Sequence, residues 1–361
     1  MQPNPSAAAS SPGGAETVRL AGTGGRRLCR SWEAGKLDVT KTLSRAPEAG
    51  VAEPLLAVRG LSKRFGAKVA VAGVSLTLDA GQVLGFVGPN GAGKTTTLRV
   101  LAGLLRADTG EGRVLGHDIM TAHGLFSEQV GYMPQKLALY GELTVAQNLR
   151  FRADVYGLSD ARGAVDDAVA DFELTPYRNQ RASSLSGGWA RRLQLAAALI
   201  HHPRLVLLDE PTAGLDADSK LDVWRRVIAL ARGGGSVIIN THDLIEAEQC
   251  TAIALFSKGR ILARGDPTSL TKAAPFEAML VSSDTVDVHA VASRFSGLPC
   301  VMAIYPQGQH LRLLFHPGAV AEIRQCAAAA GVEVEETHKR FEDAAFVTLH
   351  QAGDGLAGAA S

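Results

Sequence analysis

The chain has 361 residues, 46% hydrophobic and 20% charged, which is enough apolar material for two or three domains with real cores. Its 37 Lys and Arg balance 36 Asp and Glu to a formal net charge of +1, so no global field recruits nucleic acid or an anionic membrane. The 4 cysteines (Cys29, Cys250, Cys300, Cys326) lack CxxC spacing, which argues against a disulfide framework or structural zinc and suits a reducing cytoplasm; no apolar run approaches the roughly eighteen residues of a membrane span.

Residues 1–52 are rich in Ala, Gly, Ser and Pro without a sustained apolar period, and read as a disordered extension rather than a secretory signal. From Leu55 the pattern changes to short apolar strands separated by glycine turns: Leu55 to Val58, Val74 to Leu78 and Val83 to Val87. A helix is predicted from Thr95 to Leu105, and Gly131 to Gln135 follows a strand end. Residues 136–184 look mainly helical, with Thr144 placed to cap a helix carrying Val145, Leu149 and Val155. Leu205 to Leu208, Val237 to Ile239 and Ile253 to Phe256 are continuous apolar runs of the kind a strand buried on both faces requires, with a helix from about Ser219 to Ala231 between the first two. This alternation means α/β with a largely parallel sheet.

After Pro267 the character changes again. Strands at Ala278 to Val281, Val301 to Tyr305, His310 to Phe315 and Val332 to Glu335 alternate with helices at Val286 to Ser296 and Val320 to Ala330. The order, β-α-β-β-α-β, predicts a small α+β appendage without a catalytic motif. The divisions are therefore 1–52, 53–270 with a helical subdomain at about 136–190, 276–350, and a disordered tail at 351–361.

Two glycine strings carry the chemistry. Gly88-Pro89-Asn90-Gly91-Ala92-Gly93-Lys94-Thr95-Thr96 matches G-x-x-x-x-G-K-[ST] between a strand and a helix, the context that makes the pattern a nucleoside-triphosphate site. Glycines let backbone N–H groups turn inward around a polyphosphate, the helix N-terminus adds its positive end, Lys94 is expected on the β- and γ-phosphates, and Thr95 on Mg²⁺. Leu185-Ser186-Gly187-Gly188 is a second glycine turn opening a helix, a second place suited to phosphate. Asp209 and Glu210 end a buried strand, where open α/β sheets present ligand groups; Asp209 is assigned to Mg²⁺ and Glu210 as general base.

These residues resemble the ABC-type ATPases. Leu185 to Gly188 looks like the signature of that family, Leu208 to Thr212 like its Walker B, Ala213-Gly214-Leu215-Asp216 like its D-loop, Gln135 like the Q-loop glutamine and His242 like the switch histidine, all in family order over about residues 55–270. Gly131-Tyr132-Met133-Pro134-Gln135, Trp189, Glu246-Ala247-Glu248 and the tail around Glu342-Asp343 are similar to the multidrug and daunorubicin-type exporter branch. The resemblance implies a P-loop NTPase fold with a helical subdomain, MgATP hydrolysis, and a head-to-tail dimer in which Ser186, Gly187 and Gly188 of one chain meet the γ-phosphate held by the other chain's Lys94, with Asp216 at that site. The resemblance also implies that Gln135 would sense Mg²⁺ and the water, and that His242 would hold the γ-phosphate and attacking water in line. The partners implied are a second ATPase subunit and a membrane permease that holds the chain at the cytoplasmic face of the plasma membrane, with no nucleic acid expected. The alternative is a soluble ABC ATPase acting without a transporter on ribosomes, DNA or iron–sulfur assembly. Phe65 stands where the family stacks adenine on tyrosine, keeping the π-face without the hydroxyl. Trp189 suits packing near the helical subdomain, and His201-His202, closing a helix, suit its negative end better than a metal.

Overall fold

The computed structural model describes residues 53–121, 127–283 and 287–352; the predicted N-terminal extension and residues 353–361 of the predicted tail lie outside the described residues. Strands β1 (Leu56–Phe65) and β2 (Lys68–Leu78) form a hairpin, β3 (Val83–Val87) runs into the first glycine loop and α1 (Lys94–Leu101) leaves it. There follow β4 (Thr109–Val114), β5 (His117–Asp118), β6 (Val130–Met133), α2 (Val145–Val155), α3 (Ala161–Asp171), α4 (Gly187–Leu199) and β7 (Leu205–Asp209). Next come α5 (Ala217–Arg232), β8 (Ser236–Thr241), the short α6 (Leu244–Ala247), β9 (Ala252–Ser257), β10 (Arg260–Gly265) and α7 (Pro267–Ala273). The last described elements are β11 (Glu277–Ser282), α8 (Ala292–Ser296), β12 (Val301–Gln307), β13 (His310–Phe315), α9 (Val320–Ala330), β14 (Glu333–Thr337) and α10 (Phe341–Gln351).

The central sheet has the order β10-β9-β3-β8-β7-β6, parallel except for β10. Alternate side chains of its strands enter opposite cores, which is why the strands read as unbroken apolar runs. Val83, Val87, Val206, Leu208, Val237 and Ile239 pack with residues of α2, α4 and α5. Leu84, Phe86, Leu205, Leu207 and Ile238 pack on the other side with α1 and with the antiparallel sheet β2-β1-β4-β5. Parallel register sets Asp209 opposite Asn240, Val87 opposite Thr241 and Met133 opposite Leu208, so the carboxyl ends of β3, β6, β7 and β8 share one edge.

Several predicted boundaries move. The hairpin strands run longer than their apolar stretches because the β1–β2 register shifts at Leu61 and Lys63 break the alternation. Strand β4 is absent from the predicted elements because its sequence, Thr-Gly-Glu-Gly-Arg-Val, carries little apolar signal. Its Gly112 (φ +131°) is required by close approach, since a Cβ there would stand 2.2 Å from the Ala57 carbonyl oxygen. Helix α1 ends at Leu101, short of the predicted Leu105, where the amides of Leu104 and Leu105 turn back to the Arg99 carbonyl. Thr144 caps α2 in a reciprocal box with Gln147. Val155, however, is on the outer face of α2 and 60% exposed, out of phase with Val145 and Leu149.

The third sheet, β12-β13-β11-β14, is antiparallel throughout and carries α8 and α9. The helix predicted from Val286 is a 3₁₀ turn (Val288–Val291) followed by the five-residue α8. Helix α10 runs through Gln351, into the stretch predicted as tail, and bridges two cores. Phe341 and Ala345 enter the ATPase-side core, while Ala344 and Val347 meet Phe276 and Leu314. No helix of the described residues is long and apolar enough to cross a membrane.

Candidate nucleotide site

The loop after β3 is a built cradle. Gly88 (φ +150°) and Gly93 (φ +99°) sit where a Cβ would come 2.1 Å from the Phe256 carbonyl oxygen and 2.3 Å from that of Ala70, so no other residue fits there without moving the backbone. The Ala92 amide donates to the Pro89 carbonyl at 3.2 Å, closing the turn, while Asn90 and Gly91 stand exposed at its tip. Lys94 is buried, its Nζ donating to the Gly88 and Pro89 carbonyls at 2.6 and 3.0 Å. Burial draws its ammonium below the ordinary value against the pull of Glu210 and Asp209. Thr96 lies on the first turn of α1 beside Thr95.

Across the sheet edge, Thr95 Oγ1 donates to Asp209 Oδ1 at 3.0 Å, and Asn240 Nδ2 donates to the same carboxylate oxygen. Asp209 Oδ2 is buried without a hydrogen-bond partner, a state that costs about 1–3 kcal/mol unless something positive meets it. Burial pushes the Asp209 carboxyl above the ordinary carboxylate range, countered by the Asn240 and Thr95 hydrogen bonds. A hydroxyl, an unpartnered carboxylate oxygen and the nearby Gln135 amide make a hard-oxygen set that fits Mg²⁺.

Glu210 is held from both sides. Gln135 Nε2 donates to its Oε2 at 2.8 Å, and His242 Nδ1 lies 3.4 Å from its Oε1. Its backbone is left-handed (φ +50°), a strain of about 1 kcal/mol in a non-glycine residue. The Glu210 amide donates to the Asn240 carbonyl at 2.9 Å, which ties that strained turn to β8.

Ser186, Gly187 and Gly188 stand apart from this cluster. Ser186 begins α4 with its hydroxyl making no capping bond; Ser186 and Gly187 are exposed, and a Cβ at Gly187 would meet nothing within 4 Å. Asp216 caps α5, both carboxylate oxygens accepting from Ser219, which holds the carboxyl below its usual range. Phe65 is 52% exposed at the end of β1, with Lys63 Nζ 5.8 Å from its ring centroid. Trp189 packs on Tyr177 (ring centroids 4.4 Å apart) and under the Arg192 guanidinium (4.7 Å).

His201 departs from expectation. Instead of a cation at a helix end, it is a ring stacked on Tyr156 (3.6 Å) with Nε2 against the Val130 carbonyl at 3.2 Å. Burial lowers its pKa to about 4, so it is neutral at pH 7.

Three site residues were missed. Asn240 could have been found, as a polar residue ending the apolar run of β8 just before His242. Arg191 and Gln194 gave no such signal. Arg191 is buried on α4, donating to the carbonyls of Gln135 (2.6 Å), Pro211 (3.2 Å) and Glu210. Gln194 Nε2 donates to the carbonyls of Pro134 and Lys136, both at 3.0 Å.

The family model described as "ABC transporter" matches residues 71–213. The "Probable multidrug ABC transporter ATP-binding protein YbhF" of Escherichia coli (strain K12) is 38% identical over 306 residues, covering 83% of this chain; the chain spans only 53% of that relative's length. The "Daunorubicin resistance ATP-binding protein DrrA3" of Streptomyces coeruleorubidus is 35% identical over 317 residues, covering 84% of this chain and 98% of the relative. A solved structure described as "Structure of ATP binding subunit of ABC transporter" superposes with TM-score 0.56 at 28% identity, covering 60% of this chain and 92% of that one. A glycine-rich phosphate-type loop, a carboxylate pair and His242 on one parallel sheet edge, in a chain that covers 98% of such a relative, make this chain a member of the ABC transporter ATP-binding protein family.

Proposed function

We propose that this chain hydrolyses MgATP as the nucleotide-binding subunit of an export system, working as a head-to-tail dimer beneath a membrane permease. One observation carries the reading. Lys94, Thr95, Asp209, Glu210, Gln135 and His242 gather at one edge, whereas Ser186 stands outside, exposed at an open helix N-terminus. The cluster can hold and cut a triphosphate. The free N-terminus of α4 suits the γ-phosphate held by a second chain.

Within each site Glu210 takes the proton of the attacking water, its carboxylate aimed by Gln135 and His242. Lys94 and the loop amides hold the β- and γ-phosphates, with Phe65 offering a face to adenine. Thr95, Asp209 and Gln135 would hold Mg²⁺, which supplies charge neutralisation at the phosphates. Phosphate contact at Ser186 closes the dimer, and product release reopens it.

Docking to a permease is supported by an exposed apolar patch just beyond Gln135. Leu137 and Tyr140 are 52% and 51% exposed, and Tyr140 meets Phe151 edge-on at 4.8 Å. The named relatives are multidrug and daunorubicin-resistance proteins, which supports a drug-like cargo. The test is phosphate release from ATP by the purified full-length chain with Mg²⁺. Turnover abolished by Lys94→Ala is expected; no turnover in the wild type refutes the reading. Copurification with an integral-membrane protein separates it from an ATPase acting without a transporter.

A further inference from the structure

We propose that Arg191 is a positioning residue through which engagement of nucleotide at one site of the dimer sets the catalytic groups of the other. The inference rests on the dimeric ATPase reading above. The first two turns of helix α4 face two different sites. Its N-terminus presents Ser186, Gly187 and Gly188 outward, where the partner's nucleotide is received. About one turn further along, Arg191 turns inward to this chain's own site.

The guanidinium spreads over both catalytic loops. Nε donates to the Pro211 carbonyl at 3.2 Å, one terminal nitrogen to the Gln135 carbonyl at 2.6 Å and to Gln194 Oε1 at 3.4 Å, and the other to the Glu210 carbonyl. Gln194 adds the carbonyls of Pro134 and Lys136. The backbones that carry Gln135 and Glu210 are thus fastened to the helix that carries Ser186, and not only to each other through the Gln135 to Glu210 bond. A planar fork with donors in fixed directions suits this task, and a point charge does not.

A rigid helix cannot move its N-terminus toward the partner's phosphate without moving these carbonyls. Glu210 amplifies the effect, because its left-handed backbone allows little adjustment between the Arg191 bond on its carbonyl and the Asn240 bond on its amide. Each chain therefore relays one site to the other, and two chains make the relay reciprocal.

Subunit mixing tests this in the full-length chain. Wild type is diluted with Ser186→Ala, which keeps its own Lys94 and nucleotide but cannot engage the partner's phosphate. In a mixed dimer one site retains every direct contact. If the sites are relayed, that site is also slow, and activity falls as the square of the wild-type fraction; if they are independent, it falls linearly. The expected result is a squared dependence for wild type and a linear one in the Arg191→Gln background. Arg191→Gln is also expected to lower kcat on the order of tenfold, a loss of the size of one strong charge-assisted bond, with ATP affinity within about twofold. Arg191→Lys, which keeps the charge and at most part of the fork, is mixed in the same way and serves if Arg191→Gln does not fold. Linear dependence in both backgrounds, or squared dependence in both, overturns the proposal. Absence of wild-type turnover overturns the ATPase reading beneath it and is distinct from either pattern.

Discussion

Replacing Asp343 by Asn should loosen α10 more than any surface change could. Asp343 and Arg312 are both 0% exposed, and the pair is bidentate: Arg312 Nε lies 3.0 and 3.2 Å from the two carboxylate oxygens, and a terminal nitrogen donates to Oδ2. The carboxylate also accepts from the Tyr305 hydroxyl and, at 2.9 Å, from the Arg340 amide, while Arg312 donates to the His338 carbonyl at 2.7 Å. Burial, reinforced by Asp343, holds the Tyr305 phenol above its ordinary range, so it stays a donor. All four groups around Asp343 are donors, and an Asn amide would turn two N–H groups among them while leaving Arg312 charged and unpaired. Breaking a buried pair in this way costs about 3–5 kcal/mol. Because α10 carries Phe341 and Ala345 into the ATPase-side core, the loss should be read locally there. Hydrogen exchange of the Phe341–Gln351 amides should accelerate about a thousandfold, the equivalent of about 4 kcal/mol. The double variant Arg312→Met with Asp343→Leu removes both charges and should recover most of the protection. Exchange in Asp343→Asn within about fivefold of wild type, near 1 kcal/mol, would refute the reasoning.

Glu210→Gln should keep ATP binding, lower turnover by at least about a hundredfold, and accumulate a dimer with MgATP by light scattering; a monomer under those conditions counts against the closed-dimer reading. His201, with a folded pKa of about 4 against an unfolded value near 6.5, is neutral in the fold, so its contribution is intact above pH 6.5 and lost as pH falls toward 4. The loss is about 1.4 kcal/mol per pH unit, about 2 kcal/mol at pH 5, and His201→Phe should flatten that part of the urea-midpoint profile. Gly88→Ala should abolish binding of a fluorescent ATP analogue, because its Cβ meets the Phe256 backbone rather than a movable side chain. Asn240→Leu leaves Asp209 with only Thr95 as donor and should weaken the Mg²⁺ dependence of turnover by about tenfold, the value of one hydrogen bond to a charged group. Calorimetric nucleotide binding without metal should change little.

The candidate residues of the glycine loop, the carboxylate pair and His242 were legible because each depends on short-range geometry. A strand end, a tight turn and a helix N-terminus are written in consecutive residues, and the chemistry of phosphate demands glycine, lysine and hydroxyl at fixed offsets. The apolar runs of β3, β7 and β8 likewise announced strands covered on both faces. Other features depended on what lies across the fold. Strand β4 has too little apolar signal to declare itself and is recognisable only beside β1. His201 is neutral because it is buried, stacked on Tyr156 from the end of a separate helix.

By itself the sequence determined the candidate reacting groups of this protein and the order in which they occur. Only the tertiary structure decided which of them meet. The parallel register brings Asn240 beside Asp209, and the packing of α4 against the sheet lets Arg191 gather carbonyls from two separated loops. Backbone carbonyls are identical along any chain, so nothing local marks those that accept from Arg191. The two glycine strings part for the same reason: one folds back onto its own sheet, and the other faces outward at the start of helix α4.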